Sequence, residues 1–99
     1  MTQVFELAAF TVRKDQEQDL ISERPAVLAA LHDAFPGLMS AWLTQRDDGS
    51  WLDVILWRSD EEAQYAATHV TEVPEVAAWF THIDESRGIE HLKVLSHDA

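Results

Sequence analysis

The sequence predicts an α+β fold of order β-α-β-β-α-β. This is the ferredoxin-like arrangement, with a four-stranded antiparallel sheet and a split second helix. Three observations carry it. Gly37 to Arg58 (GLMSAWLTQRDDGSWLDVILWR) reads as two strands closed at Asp48-Gly49, because Asp-Gly between strand-like runs favours a tight turn with positive φ. One strand-like run precedes it, Val4 to Val12, and one follows it, Ile89 to Leu95. Between these strands lie stretches whose apolar residues recur at helical spacing. In such a sheet the first and third strands take the centre and both helical layers cover one face.

Val4 to Val12 (VFELAAFTV) is β-rich and ends at the charged cluster Arg13-Lys14-Asp15. Asp15 or Asp19 is placed to cap the helix that follows. From Gln16 to Ala34, Leu20, Val27, Leu28, Leu31 and Ala34 form its apolar pattern. Pro25 lacks a backbone donor and clashes one turn back, so a kink or a break into two helices is expected there. Phe35-Pro36-Gly37 stops the helix. Ser59 opens the second helical layer, with acidic residues in the first turn and Glu62 three positions on, as a capping box requires. That helix runs to about His69. Val73-Pro74 breaks it. Pro74 opens another, to about Ile83 or Asp84, with Val76, Trp79, Phe80 and Ile83 on one side. Arg87-Gly88 reads as a turn into the last strand.

Composition narrows the function classes. The chain has 99 residues, which fits one domain over 1–99. Acidic side chains number 18 against 7 basic ones, a net charge of −11. Binding to nucleic acid or to an anionic membrane needs clustered Lys and Arg, so both are disfavoured. Hydrophobic residues make up 46%, too many for a disordered chain. There is no Cys, hence no disulfide frame, thiolate nucleophile or Cys-bound zinc. The N-terminus has no basic n-region, and no apolar run approaches the roughly 20 residues of a membrane span, so a cytoplasmic protein is expected. No HxH, HxxxH or HExxH pattern, nucleophile elbow or phosphate-cradling glycine loop is present, and no metal or other cofactor is expected.

The hairpin carries a further expectation. With Asp48 and Gly49 as the two central turn residues, Thr44 faces Asp53, Trp42 faces Ile55 and Ser40 faces Trp57. Side chains alternate across a sheet, so these six share one face. Met39, Ala41, Leu43, Val54 and Leu56 take the other. Both faces are apolar enough to need cover. Helices cover one, and a second copy of the chain is the simplest cover for the other, giving a homodimer through sheet faces.

The whole chain resembles the dimeric α+β barrel superfamily, in particular its small antibiotic-biosynthesis-monooxygenase-like proteins. The segments that carry the resemblance are Glu23 to Leu38 (ERPAVLAALHDAFPGL), Asp48 to Ala63 (DGSWLDVILWRSDEEA) and Val73 to Phe80 (VPEVAAWF). It implies a homodimer whose sheets pack face to face, with a ligand cavity in each monomer between sheet and helices. Activities in that superfamily are diverse, so the fold does not choose among them. Its cofactor-free oxygenases and haem-degrading enzymes commonly place an Asn near the active site. This chain has no Asn, which speaks against a copy of either mechanism.

If the mixed face of the hairpin meets the helices, Trp42, Thr44, Asp53 and Trp57 meet Tyr65, His69, Trp79 and His82. An apolar cavity with a few convergent polar groups is the usual form of a small-molecule site. On that reading His82 or His69 is a general base, Asp53 orients it and Tyr65 donates to a developing oxyanion. Trp42, Trp57 and Trp79, with Thr44, hold the substrate. The structural alternatives are that the tryptophans fill the core, and that Asp53 bonds Thr44 or Ser40 or pairs with an Arg across the dimer. The leading function is a small-molecule-binding domain for a hydrophobic, aromatic or polyketide-like ligand. It resembles cofactor-independent monooxygenases or isomerases and cyclases. A non-catalytic dimeric ligand-binding or structural protein, and a haem-binding protein with His82 or His69 as axial ligand, are the alternatives.

Overall fold

The computed structural model describes residues 2–98. Its strands are β1 (Val4–Val12), β2 (Leu38–Gln45), β3 (Trp51–Trp57) and β4 (Ile83–Lys93). Its helices are α1 (Glu17–Ala34), α2 (Asp60–His69) and α3 (Pro74–Phe80), with a 3₁₀ turn, Val70–Glu72, between the last two. The sheet is antiparallel in the order β2-β3-β1-β4, with the first and third strands central as expected. Ser59 caps α2 as the sequence predicts, accepting from the backbone N of Glu62 at 3.2 Å. Among the described residues, no helix is long and apolar enough to cross a membrane.

The hairpin departs from expectation by one residue. Leu43 pairs with Asp53, Trp42 with Val54 and Ala41 with Ile55. The turn is longer than two residues. Gly49 N donates to Arg46 O at 3.0 Å and Arg46 N donates to Ser50 O at 2.8 Å. Asp48 Oδ1 accepts from Ser50 N at 2.9 Å and from Ser50 Oγ at 2.6 Å, and Gly49 takes a φ of 90°. This is a three-residue loop with glycine in the left-handed position. This one-residue slip sends the side chains from Ser40 to Gln45 to the opposite face, while beyond the irregularity at Met39, Leu38 stays buried against Trp57.

Two further boundaries differ. α1 runs unbroken through Pro25. Leu20, Arg24, Val27 and Leu31 are all buried along one stripe, while Pro25 and Ile21 are exposed, so the carbonyl that Pro25 leaves without a helical donor belongs to the outer side of the helix. β4 begins at Ile83, six residues before the expected start. Arg87-Gly88 forms no turn between elements. It lies within β4 where the pairing to β1 slips between Ala8 and Phe10, and Gly88 supplies the positive φ of 110° for that bulge.

The helices cover the sheet face that carries Trp51, Asp53, Ile55 and Trp57, all buried. Trp51, although next to the turn, lies in the core with its ring stacked on Phe10, ring centres 6.5 Å apart. Phe10 meets the edge of Trp79 at 6.3 Å, and Trp79 Nε1 donates to Leu20 O at 2.8 Å. A buried aromatic of this size contributes on the order of 2–3 kcal/mol by area alone. This cluster pins α1 and α3 onto the sheet.

Candidate functional site

The helices do not close completely on the sheet. A cavity of about 410 Å³ lies between them, towards the β1–β4 side. Glu6, Ala8 and Phe10 of β1 and Asp53, Ile55 and Trp57 of β3 form its floor. Val27 and Leu31 of α1, Ala66 of α2, and Val76 and Trp79 of α3 form its roof. Phe80 and Ile89, both exposed, stand on its rim. Alternation explains the floor. Every second residue of β1 and β3 points to the helices, and small Ala8 and Ala66 leave room that larger side chains would fill.

Three ionisable groups line this mainly apolar space. Arg24 Nη1 donates to Asp53 Oδ2 at 2.7 Å, and Nη2 donates to Oδ1 at 2.6 Å. Both side chains are buried, and the Arg24 guanidinium also lies 5.2 Å from the Trp79 ring centre. Arg24 Nε has no acceptor among the described residues. Glu6 is the third group. Its Oε1 accepts from Trp57 Nε1 at 3.2 Å and lies 3.6 Å from His91 Nε2. Burial raises the Glu6 pKa above the ordinary glutamate value, against the opposing pull of His91 and of the Trp57 hydrogen bond.

No family model matches the chain, and no curated protein matches it. Solved structures do, over nearly its whole length. An antibiotic-biosynthesis-monooxygenase-like protein from Bordetella bronchiseptica superposes with a TM-score of 0.74 at 13% identity, covering 97% of this chain and 100% of the other. SnoaB, a cofactor-independent oxygenase from Streptomyces nogalater, gives 0.68 at 18% identity, covering 100% and 97%. A variant of MhuD, with two manganese protoporphyrin IX bound per active site, gives 0.70 at 16% identity, covering 97% and 98%. The chain shares the α+β fold of these proteins, a four-stranded antiparallel sheet with its helices on one face. At these identities the likeness is one of fold.

Within this fold, the expected site residues separate into two groups. Asp53, Trp57 and Trp79 come together in the cavity wall. Trp42 and Thr44 do not join them. The hairpin slip puts both on the open face of the sheet, where Trp42 is 48% exposed and Thr44 Oγ1 donates to Leu52 O at 2.7 Å. Asp53 consequently bonds neither Thr44 nor Ser40, and its arginine comes from its own chain.

The expected bases also lie elsewhere. His69 Nδ1 bonds the Tyr65 carbonyl at 2.8 Å, and the two rings stack at 4.1 Å outside the cavity. Tyr65 itself is 57% exposed and borders a shallow hollow beside Phe35 and Gly37. His82 faces α1, with Nδ1 2.8 Å from Gln16 Oε1 and Nε2 3.0 Å from Glu23 Oε1. Among the described residues no histidine lines the cavity, so the axial ligands expected for haem are not in place.

Arg24 and Glu6 were missed. Arg24 had a signal, since it lies four after Leu20 and three before Val27 on the buried stripe of α1. Glu6 had one too, because it alternates with Val4, Ala8 and Phe10 on the inward face of a central strand.

Proposed function

We propose that this chain is a small-molecule-binding protein. It holds a mainly apolar or aromatic compound between sheet and helices, and works as a homodimer joined through the open sheet faces. One observation carries the binding reading: a cavity of about 410 Å³, mainly apolar, whose ionisable wall groups among the described residues are Glu6 and the Arg24–Asp53 pair. That volume is within the range of small-ligand sites, and a few polar groups in an apolar wall are their usual form. The fold shared with SnoaB, a cofactor-independent oxygenase, agrees with it. If the protein has oxygenase, isomerase or cyclase activity, its ionisable groups are these three rather than His69, His82 or Tyr65.

Trp57 and Trp79 make the test direct. Aromatic ketones, quinones and polycyclic phenols are titrated against intrinsic fluorescence, with Trp42→Phe as background to remove the exposed reporter. Saturable quenching that weakens in Ala66→Trp, a substitution filling the roof, supports cavity binding. A panel in which no compound quenches, or in which filling the roof changes nothing, removes the reading.

A further inference from the structure

Two of the three ionisable groups in the cavity are spent on each other. Arg24 commits both terminal nitrogens to Asp53, and no other Lys or Arg lines the wall among the described residues. Glu6 is different. Its Oε1 is occupied by Trp57 Nε1, while its Oε2 has no hydrogen-bond partner among the described residues. Resting on the ligand-binding reading above, we infer that the cavity takes an uncharged, largely apolar carbonyl compound, and that Glu6 Oε2 is the atom that meets the carbonyl oxygen.

The exclusion of anions comes first. A ligand carboxylate would lose its water beside Glu6, and the cation in the wall among the described residues, Arg24, already has both terminal nitrogens and its charge on Asp53. The chain's net charge of −11 adds a repulsive field outside. A carbonyl oxygen needs a donor instead. Glu6 in its acid form provides one, and burial favours that form. The groups facing Glu6 can be named from each element. Asp53 on β3 also favours the acid form, although Arg24 on α1 is bonded to it. His91 on β4 opposes it. α2 reaches this cluster through uncharged Gln64, whose Nε2 is 3.4 Å from His91 Nδ1. α3 contributes Trp79 and Phe80 to the wall, which do not titrate.

The test uses three probes of one shape: naphthalene, 2-acetylnaphthalene and 2-naphthoate. Each is titrated by calorimetry into the wild type, Glu6→Gln and Glu6→Ala, at mildly acid and at alkaline pH, while the indole N–H signals of Trp57 and Trp79 are followed by NMR. In the wild type at acid pH the ketone is expected to bind about tenfold more tightly than either other probe, the scale of one hydrogen bond. Glu6→Gln keeps that advantage because its amide also donates, and Glu6→Ala loses it. The ketone advantage fades at alkaline pH in the wild type and persists in Glu6→Gln. Naphthoate binding as well as the ketone, or a ketone advantage that survives in Glu6→Ala, overturns the inference and leaves the cavity reading standing. If no probe moves either indole signal, both fall together.

Discussion

Arg24 and Asp53, 29 positions apart in sequence, meet through two parallel hydrogen bonds at 2.7 and 2.6 Å in the middle of the molecule. The pair ties the centre of α1 to the centre of β3, and both side chains are buried. Removing one partner strands a desolvated charge, which costs about 3–5 kcal/mol. Asp53→Ala and Arg24→Ala are each expected to lose that much in urea unfolding. The double variant Arg24→Met/Asp53→Leu is expected to recover most of it, since no charge is left unpaired. A cost below about 1 kcal/mol for Asp53→Ala, the range of an exposed pair, would contradict this role.

Glu6 predicts a stability profile of unusual sign. Its folded pKa is raised above the ordinary value of 4.5, so between the two values the folded state holds more protons than the unfolded one. Stability from this group is therefore greatest below 4.5, falls as pH rises through the window, and stays reduced above the folded value. Glu62 runs the other way. The Arg58 hydrogen bond lowers its pKa, so its contribution is present above 4.5 and is lost as pH falls through the folded value. Glu6→Gln removes only the first effect. Its Tm relative to wild type is expected to climb with pH above about 4.5 and then level off, followed by circular dichroism. A flat difference across that range would mean that Glu6 is not desolvated in the folded protein.

Periodicity and capping made the element order legible, and the residue pattern of the hairpin did the same for its strands. What escaped was decided by atoms outside the strand pattern. Asp48 folds its carboxylate back onto Ser50, and this side-chain bond favours a three-residue loop over the two-residue turn that Asp-Gly suggests. That single added residue moved Trp42 and Thr44 out of the site. Asp53 stayed because its face is fixed by pairing to β1, not by the turn. The histidines were misplaced for another reason. Helical spacing put His69 beside Tyr65 correctly, but spacing says nothing about which neighbours share a cavity. Arg24 was legible by position and overlooked by type, because a charge on an apolar stripe announces a buried partner.

The junction between Gly37 and Glu62 offers a sharper local test. Gly37 sits against the Glu62 side chain so closely that an added Cβ would overlap its carboxylate and come within 2.8 Å of its Cβ. Glu62 is also the residue that receives Arg58 Nε and Nη2, each at 2.8 Å, and its backbone N donates to the Ser59 cap. Gly37→Ala must push Glu62 off these partners, and about 1–2 kcal/mol of lost stability is expected. Ser59→Ala removes the cap and the bond that Ser59 Oγ donates to Glu62 Oε1 at 3.2 Å, at about 1 kcal/mol. Because both changes act through one side chain, their double variant should cost less than the sum. Strict additivity in chemical denaturation would show that Gly37 acts independently of the α2 start.

The open face of the sheet leads to the last prediction. Trp42 and Leu92 are 48% and 42% exposed there, and Phe5 lies beside Trp42 with ring centres 6.4 Å apart. Leu7, Val54 and Leu56 continue the apolar surface, since each pairs within the same face across β1 and β3. All three helices lie on the opposite side. A contiguous apolar face of this kind is costly in water and marks an interaction surface. Burying it against the same face of a second copy is self-complementary, as a two-fold interface requires. The wild type is therefore expected to sediment as a dimer. Trp42→Asp places a charge on that face and touches no part of the cavity. It should shift the protein to monomer, and its Tm should become independent of protein concentration, while a ligand that quenches Trp57 still does so. A wild type that stays monomeric at high concentration, or a Trp42→Asp variant that sediments unchanged, would mean that this face is not where two copies meet.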